Sequence, residues 1–149
     1  MIKYLTLLFF CLLGFSQELP PIVKYNSATY NAGNQNWMIS QDNQRFMYFA
    51  NNEGLLEFNG SKWVLNPSPN ETIIRSVNVI DNKIYTGCYM EFGYWIRQSN
   101  GQLKYTSLSK SLKNKIQDDE QFWNILNYDQ WVIFQSLNKI FIYDTKSGK

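Results

Sequence analysis

Histidine is absent from all 149 residues. That removes the commonest general base, the commonest metal ligand and every Ser-His or Cys-His nucleophile pair. Cysteine is nearly absent: only Cys11 and Cys88 occur. Cys11 falls in a segment read below as cleaved, so the mature chain keeps one thiol, with no internal disulfide and no cysteine metal site. Charge is also scarce, at 17% of residues and a net +2. No basic stripe forms, because lysines 104, 110, 113 and 115 run straight into Asp118, Asp119 and Glu120. A surface for nucleic acid needs clustered positive charge, so none is expected here. No apolar run reaches the roughly 20 residues of a membrane span. What is abundant is aromatic: 10 Tyr, 10 Phe and 5 Trp, a content that disordered chains do not carry.

The first sixteen residues read as a secretory signal peptide. Lys3 gives a positive start, Tyr4 to Leu13 a mostly apolar run, and Gly14-Phe15-Ser16 places small residues at −3 and −1 of a cut before Gln17. The polar Gln17-Glu18 and then Pro20-Pro21 end the run too early for a transmembrane anchor. Bulky Phe10 before Cys11 argues against lipidation. The mature product is therefore expected outside the cytoplasm, in the periplasm. Residues 17–35 form a lead-in segment.

The remainder repeats. Trp37–Gly60, Arg75–Trp95 and Trp123–Asp144 each read as a short strand, a polar turn around Asp, a β-rich strand, a second turn and another apolar strand. The turn centres are Asp42-Asn43, Asp81-Asn82 and Asp129-Gln130. Equivalent pairs (Met47-Tyr48, Ile84-Tyr85, Val132-Ile133) lie 37 and then 48 residues apart. Such spacing predicts propeller blades, because one four-stranded sheet cannot bury both faces and blades hide each other's surfaces by packing radially. A β-sandwich with accidental similarity is the plainer alternative. The fold class expected is all-β: an incomplete β-propeller of about three four-stranded antiparallel blades, the third lacking its last strand. Blade 1 covers 36–72, with strands at 36–40, 45–50, 54–58 and 61–65. Blade 2 covers 73–107, and partial blade 3 covers 121–149. Asn59-Gly60 reads as a type I′ hairpin turn with both residues at positive φ, and Asn100-Gly101 and Ser147-Gly148 take the equivalent places. Gly54, Gly60 and Gly93 read as turn glycines, and Cys88 as a small buried apolar residue. In the inter-blade segment 108–120, Leu108, Leu112 and Ile116 sit four apart, which fits a short helix or a structured loop. With blades missing and no disulfide, the chain is expected to be marginal on its own.

Glu18-Leu-Pro-Pro-Ile-Val, Tyr30-Asn-Ala-Gly-Asn-Gln-Asn-Trp37, Asn52-Glu-Gly-Leu-Leu-Glu-Phe-Asn-Gly60, Ile74-Arg-Ser-Val77 and Glu91-Phe-Gly-Tyr-Trp95 resemble the opening of a bacterial sensor family with two-component-regulator propeller repeats. The resemblance spans essentially the whole mature chain. It implies a periplasmic propeller continuing, in full-length members, into a triple-tyrosine domain, a transmembrane helix, and a LuxR-type helix-turn-helix or a histidine kinase. Those downstream modules lie outside these residues. The partners implied are the remaining blades of a longer chain, a small ligand such as a glycan, and a second copy of the parent.

Antiparallel order places the loop entering each first strand and the turn between the second and third strands at one end of a blade. Loops on rigid sheets carry binding. That end collects Asn34, Gln35 and Asn36, then Asn51, Asn52 and Glu53, from blade 1. Blade 2 adds Arg75, Tyr89, Met90 and Glu91; blade 3 adds Gln121, Trp123, Ser136 and Asn138. From these the candidate ligand contacts are Asn34, Asn36, Glu53, Arg75, Tyr89, Glu91 and Trp123, since amides, an Arg, carboxylates and aromatic planes hold small polar ligands. Trp37 and Trp123 occupy equivalent positions and also read as packing residues. Arg75 replaces Trp at that position, and either faces a ligand or pairs with Glu91. No catalytic residue, metal or cofactor is expected. Glu53, Glu57 and Glu91 would have to supply the two acids of a glycosidase, about 5–10 Å apart, and nothing in their spacing demands it. An exported adhesion or scaffold propeller, or a truncated remnant, is the alternative to sensing.

Overall fold

The computed structural model describes residues 19–149; the proposed signal peptide, 1–16, lies outside them. After a short helix, α1 (Ser27–Tyr30), come β1 (Asn36–Gln41), β2 (Met47–Asn51), β3 (Gly54–Phe58) and β4 (Trp63–Pro67). A second group follows: β5 (Ser76–Ile80), β6 (Lys83–Gly87), β7 (Phe92–Arg97) and β8 (Leu103–Ser107). A 3-10 helix (Lys110–Lys115) precedes β9 (Asn124–Tyr128), β10 (Trp131–Gln135) and β11 (Ile140–Asp144). These strands make three antiparallel sheets of four, four and three strands, each pairing in chain order. The sheet content is that expected from three repeats, the third one strand short.

Strands form where bulky side chains alternate between two faces. In β10, Val132 and Phe134 are buried while Trp131 and Gln135 are exposed. Phe134 lies opposite Ile125 and Phe141, so one row of apolar side chains crosses the sheet on its buried face. Two apolar layers result. Tyr48, Ala50, Leu55, Ile74, Val77, Ile84, Cys88 and Trp95 fill the space between the first two sheets. Ile80, Tyr85, Phe92, Ile116, Phe122, Ile125, Val132, Phe134 and Tyr143 fill the next. The second sheet is thus covered on both faces. Its first strand, β5, is cross-linked to its neighbours by single hydrogen bonds: Val79 N–H donates to Ser40 Oγ at 2.9 Å, and Asn78 Nδ2 to the Ile125 carbonyl at 3.0 Å.

Turn chemistry follows the sequence in part. Asp81 and Asp129 take positive φ (55° and 52°) in two-residue turns between Ile80 and Lys83 and between Tyr128 and Trp131. The turn at Asn59-Gly60 differs from expectation. Only Gly60 has positive φ (92°), because Asn59 Oδ1 accepts the N–H groups of Ser61 and Lys62 and closes a wider loop. Gly93 is not a turn glycine: it lies within β7, where an added Cβ would sit 2.2 Å from the Thr106 carbonyl oxygen. Gly54 likewise opens β3 rather than sitting outside it. Cys88 is fully buried, and burial pushes its thiol pKa far up.

The lead-in segment packs on the far face of the first sheet. Tyr25 and Tyr30 meet Trp63 at 5.2 and 5.4 Å between ring centres, and Trp63 stacks on Phe58 at 4.3 Å. Fully buried Asn51 ties this segment down, with Nδ2 donating to the Gly33 carbonyl and to Asn36 Oδ1. In the 108–120 segment the 3-10 helix holds Leu108, Leu112 and Ile116 against the second apolar layer. The far face of the third sheet is uncovered: Leu126, Tyr128, Ile140 and Ile142 are all more than half exposed. Among the described residues no helix is long and apolar enough to cross a membrane.

Candidate functional site

Trp37, Arg75 and Trp123 occupy equivalent places at the starts of the three first strands, and the fold stacks them together. The Arg75 guanidinium lies 4.1 Å from the Trp37 ring centre and 4.9 Å from that of Trp123. The two indoles meet edge-on at 5.9 Å. Cation–π attraction of this kind strengthens as water is excluded. Arg75 Nε donates to Gln121 Oε1 at 2.8 Å, and Trp37 Nε1 to Asn52 Oδ1 at 2.8 Å. Among the described residues, Arg75 Nη1 and Trp123 Nε1 are buried without an acceptor. Desolvation lowers the guanidinium pKa from its ordinary value, though it stays cationic at any physiological pH.

Beside this stack opens a cleft of about 310 Å³, lined by Asn52, Glu71, Thr72, Ile73, Arg75, Tyr89 and Gln121. Its walls come from the β2–β3 turn, the β4–β5 connection, the β6–β7 loop and the residue before Phe122 that pairs with Tyr89. Local hydrogen bonds shape it. Asn70 Nδ2 donates to the Tyr89 carbonyl at 2.7 Å, and Thr72 Oγ1 donates to Asn70 Oδ1 at 2.7 Å. The Tyr89 hydroxyl donates to Asp119 Oδ1 at 2.8 Å, which raises its pKa.

The seven residues singled out from the sequence are thus divided. Arg75 and Tyr89 line the cleft, and Trp123 holds Arg75 from behind. Asn36 spends its side-chain oxygen on Asn51, and Asn34 and Glu53 are exposed beyond the cleft. Glu91 accepts from the Tyr105 hydroxyl at 2.9 Å and does not pair with Arg75, so the alternative of an Arg75–Glu91 ion pair is not realised. Glu71, Thr72 and Ile73 were missed. The Pro67-Ser-Pro-Asn-Glu-Thr stretch is a loop signal directly before Arg75 that points to them.

A second cleft, about 420 Å³, opens at the opposite end between the first two sheets, where Asp42, Tyr48, Asp81 and Arg97 are among its lining residues. Here Arg97 Nη2 pairs with Glu57 Oε2 at 2.7 Å and donates to the Tyr48 hydroxyl at 3.0 Å. That hydroxyl donates to Asp42 Oδ2 at 2.9 Å. Burial alone would lower the Arg97 pKa, but Glu57 and Tyr48 outweigh it and hold the value up. Every polar group in this chain of contacts has a partner, so the network reads as a clamp between sheets. Glu57 is therefore committed to an ion pair, and Glu120 is buried with its carboxylate accepting from Ser136 Oγ and Gln117 N–H.

No protein-family model and no curated protein matches the chain. Among solved structures, the extracellular domain of BT4673 from B. thetaiotaomicron, a candidate one-component system, is similar in fold with a TM-score of 0.57 and 17% sequence identity. The match covers 76% of this chain and 15% of that one, so the present chain spans a small part of its neighbour's length.

Proposed function

We propose that this chain is the N-terminal part of a periplasmic ligand-sensing β-propeller, non-catalytic in itself, that feeds a membrane-spanning transcriptional regulator or two-component signalling protein. The three sheets are its first blades. The exposed apolar face of the third sheet and the open edge of β11 receive the blades that follow, since an uncovered face and edge of this kind favour association. The observation that carries the reading is the Arg75 stack beside its cleft. Four chain segments bring amides, a hydroxyl, a phenol and a cation to one pocket at the loop end, which suits a small polar ligand such as a saccharide. Fold similarity to an extracellular domain of a candidate one-component system supports export and sensing. The family resemblance of Tyr30–Trp37 and Asn52–Gly60 supports the same output.

The mechanism follows from where the walls originate. A ligand touching Asn52, Tyr89 and Gln121 together favours one packing of neighbouring blades, and it shifts the equilibrium by its differential affinity for that packing. In the full-length parent, paired copies transmit that bias across the membrane.

The test is thermal unfolding of the chain against a panel of neutral and acidic saccharides. A ligand at about 100 times its Kd stabilises by about 2.7 kcal/mol, which raises Tm by several degrees. The expected result is such a shift for at least one member, without turnover. A panel with no shift, or with cleaved sugar, contradicts the proposal.

A further inference from the structure

Resting on that reading of the cleft, we propose that its ligand is anionic, and that Arg75 serves as the counter-ion for a ligand carboxylate. Among the described residues, Arg75 is a half-buried cation with no carboxylate within 4 Å, and the ion pair is Arg97–Glu57, at the other cleft. Its one hydrogen-bond acceptor is the neutral Gln121 amide, and Nη1 has none. A guanidinium taken from water and left without an anion is costly, and is at its most effective when an anion arrives. The side chain is also held ready. Indoles cover it on two sides and Gln121 fixes Nε, so little rotamer freedom remains to be lost on binding. With the indoles packed against it and Nε held by Gln121, the ligand approaches from the cleft, where a carboxylate oxygen accepts a charge-assisted hydrogen bond from the guanidinium.

One residue opposes this. Glu71 lines the same cleft beyond ion-pair distance of Arg75, on an exposed loop position with positive φ (59°). Its charge partly offsets that of Arg75, and a bound carboxylate works against it. Removing its charge should therefore strengthen anion binding, an effect opposite in sign to that of removing Arg75.

The experiment is calorimetric titration of the full chain with D-glucuronate, D-glucose and inorganic sulfate at fixed ionic strength. Glucuronate is expected to bind saturably and at least about tenfold more tightly than glucose, the difference a charge-assisted hydrogen bond provides. Arg75→Gln abolishes that preference, and Glu71→Gln tightens glucuronate binding. A urea midpoint for each variant separates lost binding from lost folding; should Arg75→Gln fail to fold, the glucuronate-to-glucose ratio and Glu71→Gln decide. Equal binding of glucuronate and glucose overturns the anion proposal while leaving the cleft a ligand site. Sulfate binding as tightly as glucuronate overturns the carboxylate assignment. Absence of saturable glucuronate binding overturns the proposal, and absence of any binding across the wider saccharide panel overturns the underlying reading as well.

Discussion

Phe134→Ala is expected to destabilise the chain by about 4 kcal/mol, within the range for emptying a buried phenylalanine site. Phe134 is fully buried in the layer between the second and third sheets, with its ring 4.5 Å from that of Phe92 and 6.0 Å from that of Tyr85. The loss is large beside the total stability of about 5–15 kcal/mol typical of a domain. It falls on one interface, because the third sheet packs through this face on the second sheet and the 108–116 segment, while its other face is uncovered. Urea unfolding checks the magnitude, and amide exchange checks the place: β9, β10 and β11 should lose protection first. Ile142→Ala is the matched comparison. Ile142 is 58% exposed on the far face of the same sheet, so its truncation should cost under about 0.5 kcal/mol. Equal costs for the two variants would mean that the sheet is packed through its other face.

Arg97→Met is expected to cost about 3 kcal/mol, because it strands the Glu57 carboxylate in the interface between the first two sheets. Glu57 is only 7% exposed, whereas Arg97 is 29% exposed. Losing one partner of a buried pair leaves an uncompensated charge, which is much worse than losing both. The guanidinium also lies over the Phe46 ring, 4.7 Å from its centre, and losing that contact adds a smaller part of about 0.5–1 kcal/mol. The double variant Glu57→Leu with Arg97→Met should recover most of the loss. Urea midpoints of the two single variants and the double variant complete the cycle. A single-variant cost under about 0.5 kcal/mol would place the pair with ordinary surface ion pairs.

Much of the fold was legible because it is local. Asp81 and Asp129 sit in turns that the flanking alternation brackets, and the strand pairs on either side fall at repeat positions. The Asn59 turn was misread because its side chain, not a second positive φ, closes the loop. Gly93 was misread because a glycine facing a neighbouring strand's backbone looks the same in sequence as one in a turn. The stack was legible by register, since Trp37, Arg75 and Trp123 hold one place in successive repeats. That Arg75 points to Trp rings and Gln121, and not to Glu91, depends on the angle between neighbouring sheets, which no periodicity records. For the same reason the Arg97–Glu57 clamp was invisible: its partners lie 40 residues apart in separate repeats. The packing of Tyr25 and Tyr30 on Trp63 was likewise hidden, because the lead-in segment has no repeat to align with.

The measurement that tests the ligand-site claim most directly is amide and side-chain NMR of the isotope-labelled chain, titrated with the member of the saccharide panel that binds. Signals of Asn52, Thr72, Arg75, Tyr89 and Gln121, together with the Trp37 and Trp123 indoles, are predicted to shift together and saturate at one Kd. Shifts centred instead on Asp42, Asp81 and Arg97 at the opposite end, or on the open face of β9 to β11, would contradict the account.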